Sequence, residues 1–209
     1  MPFQILHLAR DYNTRTSAGC QQPATLKSQD RGIFHLRPWS RMTFNEGSSI
    51  QVYSTYEYFH KRTPSLMRER DPEFMTKFDY SFHMLTSFTY IAIFPINQTF
   101  EKWSFLVKLP NLQHLQTQLT PSATNHVLDH PSALGTCQRS DLWTELKNAY
   151  LSLTEILTSG TYLQRSRLKE LTILDHHNTG FRELFPNGWM EQELLNWHRE
   201  GQGRYVREM

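Results

Sequence analysis

The run Phe78-Asp-Tyr-Ser-Phe-His-Met-Leu-Thr-Ser-Phe-Thr-Tyr-Ile-Ala-Ile-Phe94 constrains the fold of this chain more than any other stretch. Phe78, Tyr80, Phe82 and Met84 alternate with Asp79, Ser81 and His83, the period of two expected of a strand with one buried face. The parity continues through Phe88, Tyr90, Ala92 and Phe94, while Ile91 and Ile93 make the opposite face apolar as well. At about 3.3 Å per residue the run would span roughly 55 Å, which is long for one strand. A bend or hairpin is therefore expected near Leu85, Thr86 and Ser87. Polar residues interrupt the run throughout, and no apolar stretch reaches the roughly 20 residues of a membrane-spanning helix.

Before this run, Ile33–Leu36, Met42–Phe44 and Ser49–Tyr56 read as extended segments, the last two joined by a turn at Asn45-Glu-Gly47. After it, Lys102–Leu109 reads as a compact strand ending at Pro110. No glycine lies between Gly47 and Gly135, so the turns of this half rest on Pro, Asn and Asp.

Beyond Pro110 the period changes. Leu112, Leu115 and Leu119 sit at helical spacing, with Asn111 as a candidate cap. The clearest helix begins at Ser140 and Asp141 and carries Leu142, Leu146, Ala149, Tyr150, Leu153, Ile156 and Leu157 as one stripe, with Gly160 as its C′ residue. A second helix is expected from Tyr162 to Leu174, with Leu163, Leu168, Leu171 and Leu174 inward and Arg165, Arg167 and Lys169 outward. Pro186-Asn-Gly188 signals a turn. A last helix is expected from Trp189 to about Glu200, burying Leu194 and Trp197, with Gly201-Gln-Gly203 releasing the tail. Strands first and helices afterwards predict an α+β domain: an antiparallel sheet from about 32–109 packed against helices from about 140–200.

Residues 1–31 read as a loosely ordered leader and 32–209 as a single domain. Arg10, Arg15, Lys27 and Arg31 give the leader a faint likeness to a mitochondrial presequence, which Asp11 and Asp30 oppose. It has no apolar core of the secretory kind, so the Asn97-Gln-Thr99 sequon reads as an ordinary loop. Cys20 and Cys137 are the two cysteines and form no paired motif. A reducing compartment, cytoplasmic or nuclear, is the expectation.

Ala, Val, Gly, Asp and Glu together make only 40 of the 209 residues, although several are among the commonest residues in ordinary proteins. Their codons all begin with G, a base that normal reading frames favour at that position. The deficit suggests a gene overprinted on another frame, as in viral accessory genes; biased nucleotide composition is the alternative. The nucleotide sequence decides, because the absence of a second long overlapping frame would remove the first explanation.

No nucleophile elbow, phosphate loop or paired-carboxylate motif is present, so catalysis is weighed on histidines alone. His126 and His130 are four apart, and Cys137 or His114 would complete a tetrahedral zinc site; exposed loop histidines are the competing reading. Asp175-His176-His177 is read as a helix C-cap on the surface, or as a general base oriented by a carboxylate. A phosphodiesterase reading of His83 would require a second strand histidine. No small-molecule cofactor is evident.

The net charge is only +2, but Arg outnumbers Lys by 15 to 7, and Arg favours bidentate contacts with carboxylate and phosphate. Tyr53, Tyr56, Tyr58 and Phe59 followed by His60, Lys61 and Arg62 form either a stacking platform for nucleic acid or the edge of an aromatic core. Trp39, Trp103, Trp143, Trp189 and Trp197 invite comparison with proteins that stack on duplex RNA ends. Trp189, near Arg182, is the tryptophan expected at the surface, where Trp and Arg form hot spots for protein partners. The candidate binding residues are Arg182, Trp189, Arg165, Arg167, Tyr58 and Arg62. The leading expectation is a non-enzymatic interaction protein, a viral accessory factor binding a host protein to counter host defence. An RNA-binding suppressor of silencing or innate immunity, on duplex or single-stranded RNA, is the alternative, and a small His- or zinc-dependent hydrolase the third reading.

Overall fold

Alternation in short segments, more than in long ones, selects the strands. In the computed structural model, which describes residues 39–53, 82–96, 103–122, 124–134, 136–186, 188–194 and 196–208, Arg41–Ser48 (β1) buries Phe44, and Ser87–Ile93 (β2) buries Phe88, Tyr90 and Ala92. His114–Gln118 (β3) buries Leu115 and Thr117, and Glu170–Ile173 (β4) buries Leu171 and Ile173. Trp197–Arg199 (β5) and Arg204–Arg207 (β6) complete one six-stranded sheet in the order β1-β2-β3-β4-β6-β5. Leader residues 1–31, Tyr56, Tyr58, Arg62 and residues 78–81 of the Phe78–Phe94 run lie outside the described residues.

The α+β class holds, with the sheet packed against helices from the C-terminal half. The expected antiparallel pairing does not. Strands β1 to β4 are parallel, with Phe44 beside Tyr90, Tyr90 beside Thr117 and Thr117 beside Ile173, and only β4 to β6 and β6 to β5 are antiparallel. Tight hairpins draw on residues with positive φ, and the stretch from 48 to 134 contains no glycine. The chain instead returns through long crossovers, as parallel pairing requires. The hairpin does contain positive-φ glycines: β5 and β6 are joined through Gly201-Gln-Gly203, with φ of 134° and 73° at the two glycines. That tripeptide is a tight turn, not the release of a tail.

Among the described residues the helices are Ile50–Tyr53 (α1), Pro131–Leu134 (α2), Arg139–Thr158 (α3), Gly160–Arg165 (α4), Thr179–Leu184 (α5) and Trp189–Glu193 (α6). Helix α3 presents the expected stripe, burying Leu142, Leu146, Ala149, Tyr150, Leu153 and Leu157. It ends at extended Ser159, whose hydroxyl accepts from the Tyr162 amide at 3.3 Å and caps α4. Gly160 therefore opens a helix where it was expected to follow one. None of the helices among the described residues is long and apolar enough to cross a membrane.

Several expected elements change type while their buried residues stay buried. Leu112, Leu115 and Leu119 are core residues, yet the helix expected there is strand β3, held by β2 on one side and β4 on the other. The strand expected over 49–56 is replaced at its start by α1, which buries Ile50 and Tyr53 one turn apart, and the Tyr53 hydroxyl donates to the Pro95 carbonyl at 3.3 Å. The strand expected over 102–109 is a 3-10 turn, Ser104–Lys108, that buries Phe105 and Leu106 in succession. The helix expected over 162–174 stops at Arg165, and the one expected over 189–200 stops at Glu193; β4 and β5 take their second halves. The long run does bend where expected, entering β2 only at Ser87. His83 is exposed in the preceding turn, and its carbonyl accepts from the Asn111 side chain at 2.7 Å.

Candidate functional site

Because β3 and β4 are parallel and adjacent, the residues that follow them meet at the carboxyl end of the sheet, where open parallel sheets commonly form their crevices. Asp175 enters this end fully buried. Its carboxylate accepts from the amides of Leu119 and Thr120 at 2.8 Å each, from the Thr120 hydroxyl at 2.7 Å, and from the Tyr150 hydroxyl of α3. The Tyr150 oxygen also lies 3.3 Å from the Thr117 hydroxyl. Burial raises the Asp175 pKa, opposed by the hydrogen bonds from Tyr150, Thr120 and the two amides. Burial, with the charge of Asp175 behind it, raises Tyr150 well above an ordinary phenol. The cluster satisfies buried polar groups without a cation and ties α3 to the ends of two strands.

Beside it lies His176, also buried. Its Nε2 is 2.9 Å from the Tyr205 hydroxyl, and its ring stands edge-on to Phe181 at 5.0 Å. Burial first, then the charges of Arg199, His177 and Arg182, lower its pKa from 6.5 to about 4. The imidazole is thus neutral at pH 7. Asp175 and His176 were expected to cap a helix on the surface; they follow a strand instead, and both are inside. Nor does the carboxylate orient the imidazole, since Asp175 faces Tyr150 and Thr120 while His176 faces Tyr205.

Outside this buried layer is an open cleft of about 840 Å³. Thr179, Arg182 and Glu183 of α5, with Pro186, form one wall, and Arg199, Gly201 and Gln202 of the hairpin form the other. Asn178 caps α5 by accepting from the Gly180 and Phe181 amides, which fixes the position of the first wall. The second wall is carried over by the β5–β6 turn. Gly203 is required there, because a Cβ would lie 2.3 Å from the Ile173 carbonyl oxygen.

A small recess of about 10 Å³ adjoins the cleft and shares Arg182, Pro186 and Arg199 with it. Trp189, half-buried, packs on Phe185 at 4.4 Å in the recess wall. Glu191 also lines it, and its Oε2 is buried without a hydrogen-bond partner among the described residues. Arg182 donates to the Thr179 hydroxyl at 3.3 Å, and the Arg199 Nε donates to the Gly201 carbonyl at 2.8 Å. Neither guanidinium forms an ion pair among the described residues. Arg204, by contrast, bridges Glu170 and Glu200 at 3.0 and 2.9 Å.

The structure thus brings Arg182 and Trp189 to one recess and adds Arg199 and Glu191 to them. Those two were missed because a single helix was expected over 189–200. The signal that would have found them is Gly-Gln-Gly between Trp197-His-Arg199 and Arg204-Tyr-Val-Arg207, two short segments on either side of a hairpin turn. Arg165 and Arg167 precede β4 and so stand at its amino end, opposite the cleft. Trp103, Trp143 and Trp197 pack inward: Trp103 donates to the Ala149 carbonyl at 2.8 Å, Trp143 meets Phe94 edge-on, and Trp197 is buried. Trp103 and Trp197 present no stacking face, and Trp143 is partly buried against the core.

The zinc candidates are dispersed. His114 sits on β3 with its Nδ1 3.5 Å from Glu170, His126 pairs with Asp129 at 3.1 Å, and His130 ends the 3-10 turn at Val127–Asp129. Cys137 is a free thiol whose pKa is raised by burial and by Asp141. Among the described residues no three His, Cys, Asp or Glu side chains gather around one point. No family model matches the chain, and neither does any curated protein sequence or solved structure.

Proposed function

We propose that this chain is a non-enzymatic interaction protein that binds a partner protein through the cleft between α5 and the β5–β6 hairpin. One observation carries the reading. Arg182 and Arg199 converge on an open cleft without carboxylate partners among the described residues, beside the half-buried Trp189. Arg and Trp dominate protein-binding hot spots because they combine directional charge with large contact area. The shortage of residues with G-initial codons supports placing the chain among viral accessory factors, with a host protein as the partner. The test is affinity capture from cells expressing the full chain. A protein retained by the native chain and lost with Arg182→Ala plus Trp189→Ala is the expected result; equal retention by both would refute the reading. An Arg182→Glu variant at the surface repeats the test without disturbing the contact of Trp189 with Phe185.

A second reading, RNA binding, rests on the other end of the sheet. Arg165, Arg167 and Lys169 are exposed before β4, and Arg207 at the end of β6 reaches into the same segment, donating to the Leu163 carbonyl at 3.1 Å. Phosphate contacts make affinity fall steeply with salt. A gel shift that vanishes between low and physiological salt, and is weakened by Arg165→Ala and Arg167→Ala, would favour RNA.

A further inference from the structure

We infer that the cleft takes an acidic peptide segment, with a side-chain carboxylate or phosphate between Arg182 and Arg199 and a backbone N–H directed at Glu191 Oε2. The inference rests on the interaction reading above and names the chemistry of the partner. Two guanidiniums line both the cleft and the recess, and they offer planar forks that suit a carboxylate or phosphate. The recess is not uniformly basic. Glu183 lines the cleft, and Glu191 lines the recess with one buried oxygen that accepts no hydrogen bond among the described residues. His176 beneath is uncharged at pH 7.

The site is therefore bipolar: it calls for an anion and, next to it, a donor. A buried acceptor without a donor costs about 1–3 kcal/mol, so a ligand that supplies one gains accordingly. The recess of about 10 Å³ holds about one water-sized group and no side chain. A peptide offers this combination, since each residue carries a main-chain N–H beside its side chain. A nucleic-acid backbone offers anions in series but no N–H along it, and that donor is what separates the two ligands at this site.

The experiment uses the full chain and fluorescein-labelled short peptides of alternating glycine and glutamate. A phosphoserine version, a glycine–lysine version, an N-methylated glutamate version and a single-stranded RNA of equal charge stand beside them. Anisotropy at physiological salt should show the glutamate or phosphoserine peptide binding more tightly than the RNA and the lysine peptide. Arg199→Ala should weaken it about tenfold or more, the loss expected when hydrogen bonds to a charged group are removed. N-methylation should weaken it by a similar factor in the native chain and have no further effect in Glu191→Met or Glu191→Gln, the coupling that a direct contact requires. The assignment is overturned if the RNA binds more tightly than the acidic peptides, or if N-methylation costs the same with and without Glu191. If the acidic peptides fail while the cellular partner is still captured, the peptide assignment falls and the interaction reading stands. Loss of both removes both.

Discussion

The two ends of β4 handle charge in opposite ways. At its amino end Glu170 is matched by His114 and by Arg204, whose side chain reaches back from the start of β6, opposite Thr172, and pairs with Glu200 as well. The network lies in solvent, and Arg204 lowers the Glu170 pKa. At its carboxyl end the charge of Asp175 is buried and met only by hydroxyls and amides, while Arg182 and Arg199 stand in the cleft outside without acidic partners among the described residues. The amino end spends its cations on local pairing, and surface pairs of that kind add little stability. The carboxyl end builds rigidity from hydroxyls and amides gathered on one buried carboxyl group and leaves its cations to face outward. That division is what a binding site requires, because side chains held ready for a ligand must be supported from below by something else.

The largest expected break in this comparison is Asp175→Ala. It would leave the Tyr150 and Thr120 hydroxyls and two amides without their acceptor, and each buried orphan costs about 1–3 kcal/mol. Destabilisation of about 3 kcal/mol or more is expected in urea unfolding, with Asp175→Asn losing less. A near-neutral Asp175→Ala would mean that the buried layer does not support the cleft.

Next in size is the pH response of His176. Its folded pKa of about 4 lies below the ordinary 6.5, so the native state binds fewer protons than the unfolded chain between those values. Its contribution is complete above pH 6.5 and is lost as pH falls toward 4, by at most about 3 kcal/mol. Unfolding free energies measured from pH 7 to pH 4 should fall more steeply for the native chain than for His176→Phe; parallel curves would contradict the burial argument. The smallest effect belongs to the ion pairs around Glu170. Arg204→Ala should leave the unfolding midpoint unmoved, and a clear drop there would erase the contrast between the two ends.

Burial was far more legible in the sequence than element type. Leu115, Leu119, Leu168, Leu171, Leu194 and Trp197 all read as core and are core, but the helices expected around them are partly strands. Strands β3 and β4 do alternate, burying Leu115 with Thr117 and Leu171 with Ile173, but each is too short to establish the period, and the buried Leu112 and Leu119 on either side of β3 complete a spacing of three and four that imitates a helix. Helix α3 escaped this ambiguity because its stripe persists from Leu142 to Leu157, about four turns. The candidate site was half legible. Arg182 and Trp189 flank a Pro-Asn-Gly turn, a local signal, whereas Arg199 reaches them only because a hairpin folds the chain back across α5. The Asp175 cluster was hidden for the same reason: the segment of Thr117 and Thr120, Tyr150 of α3 and Asp175 are far apart in the chain and meet only once β3 and β4 lie side by side.

The most direct test of the account is a charge reversal at each end of the sheet, read by retention of the cellular partner on the full chain. Arg182→Glu with Arg199→Glu should abolish retention, and Arg165→Glu with Arg167→Glu should leave it intact. The reverse pattern, with retention lost only when Arg165 and Arg167 are reversed, would place the binding face at the amino end of the sheet and contradict the account.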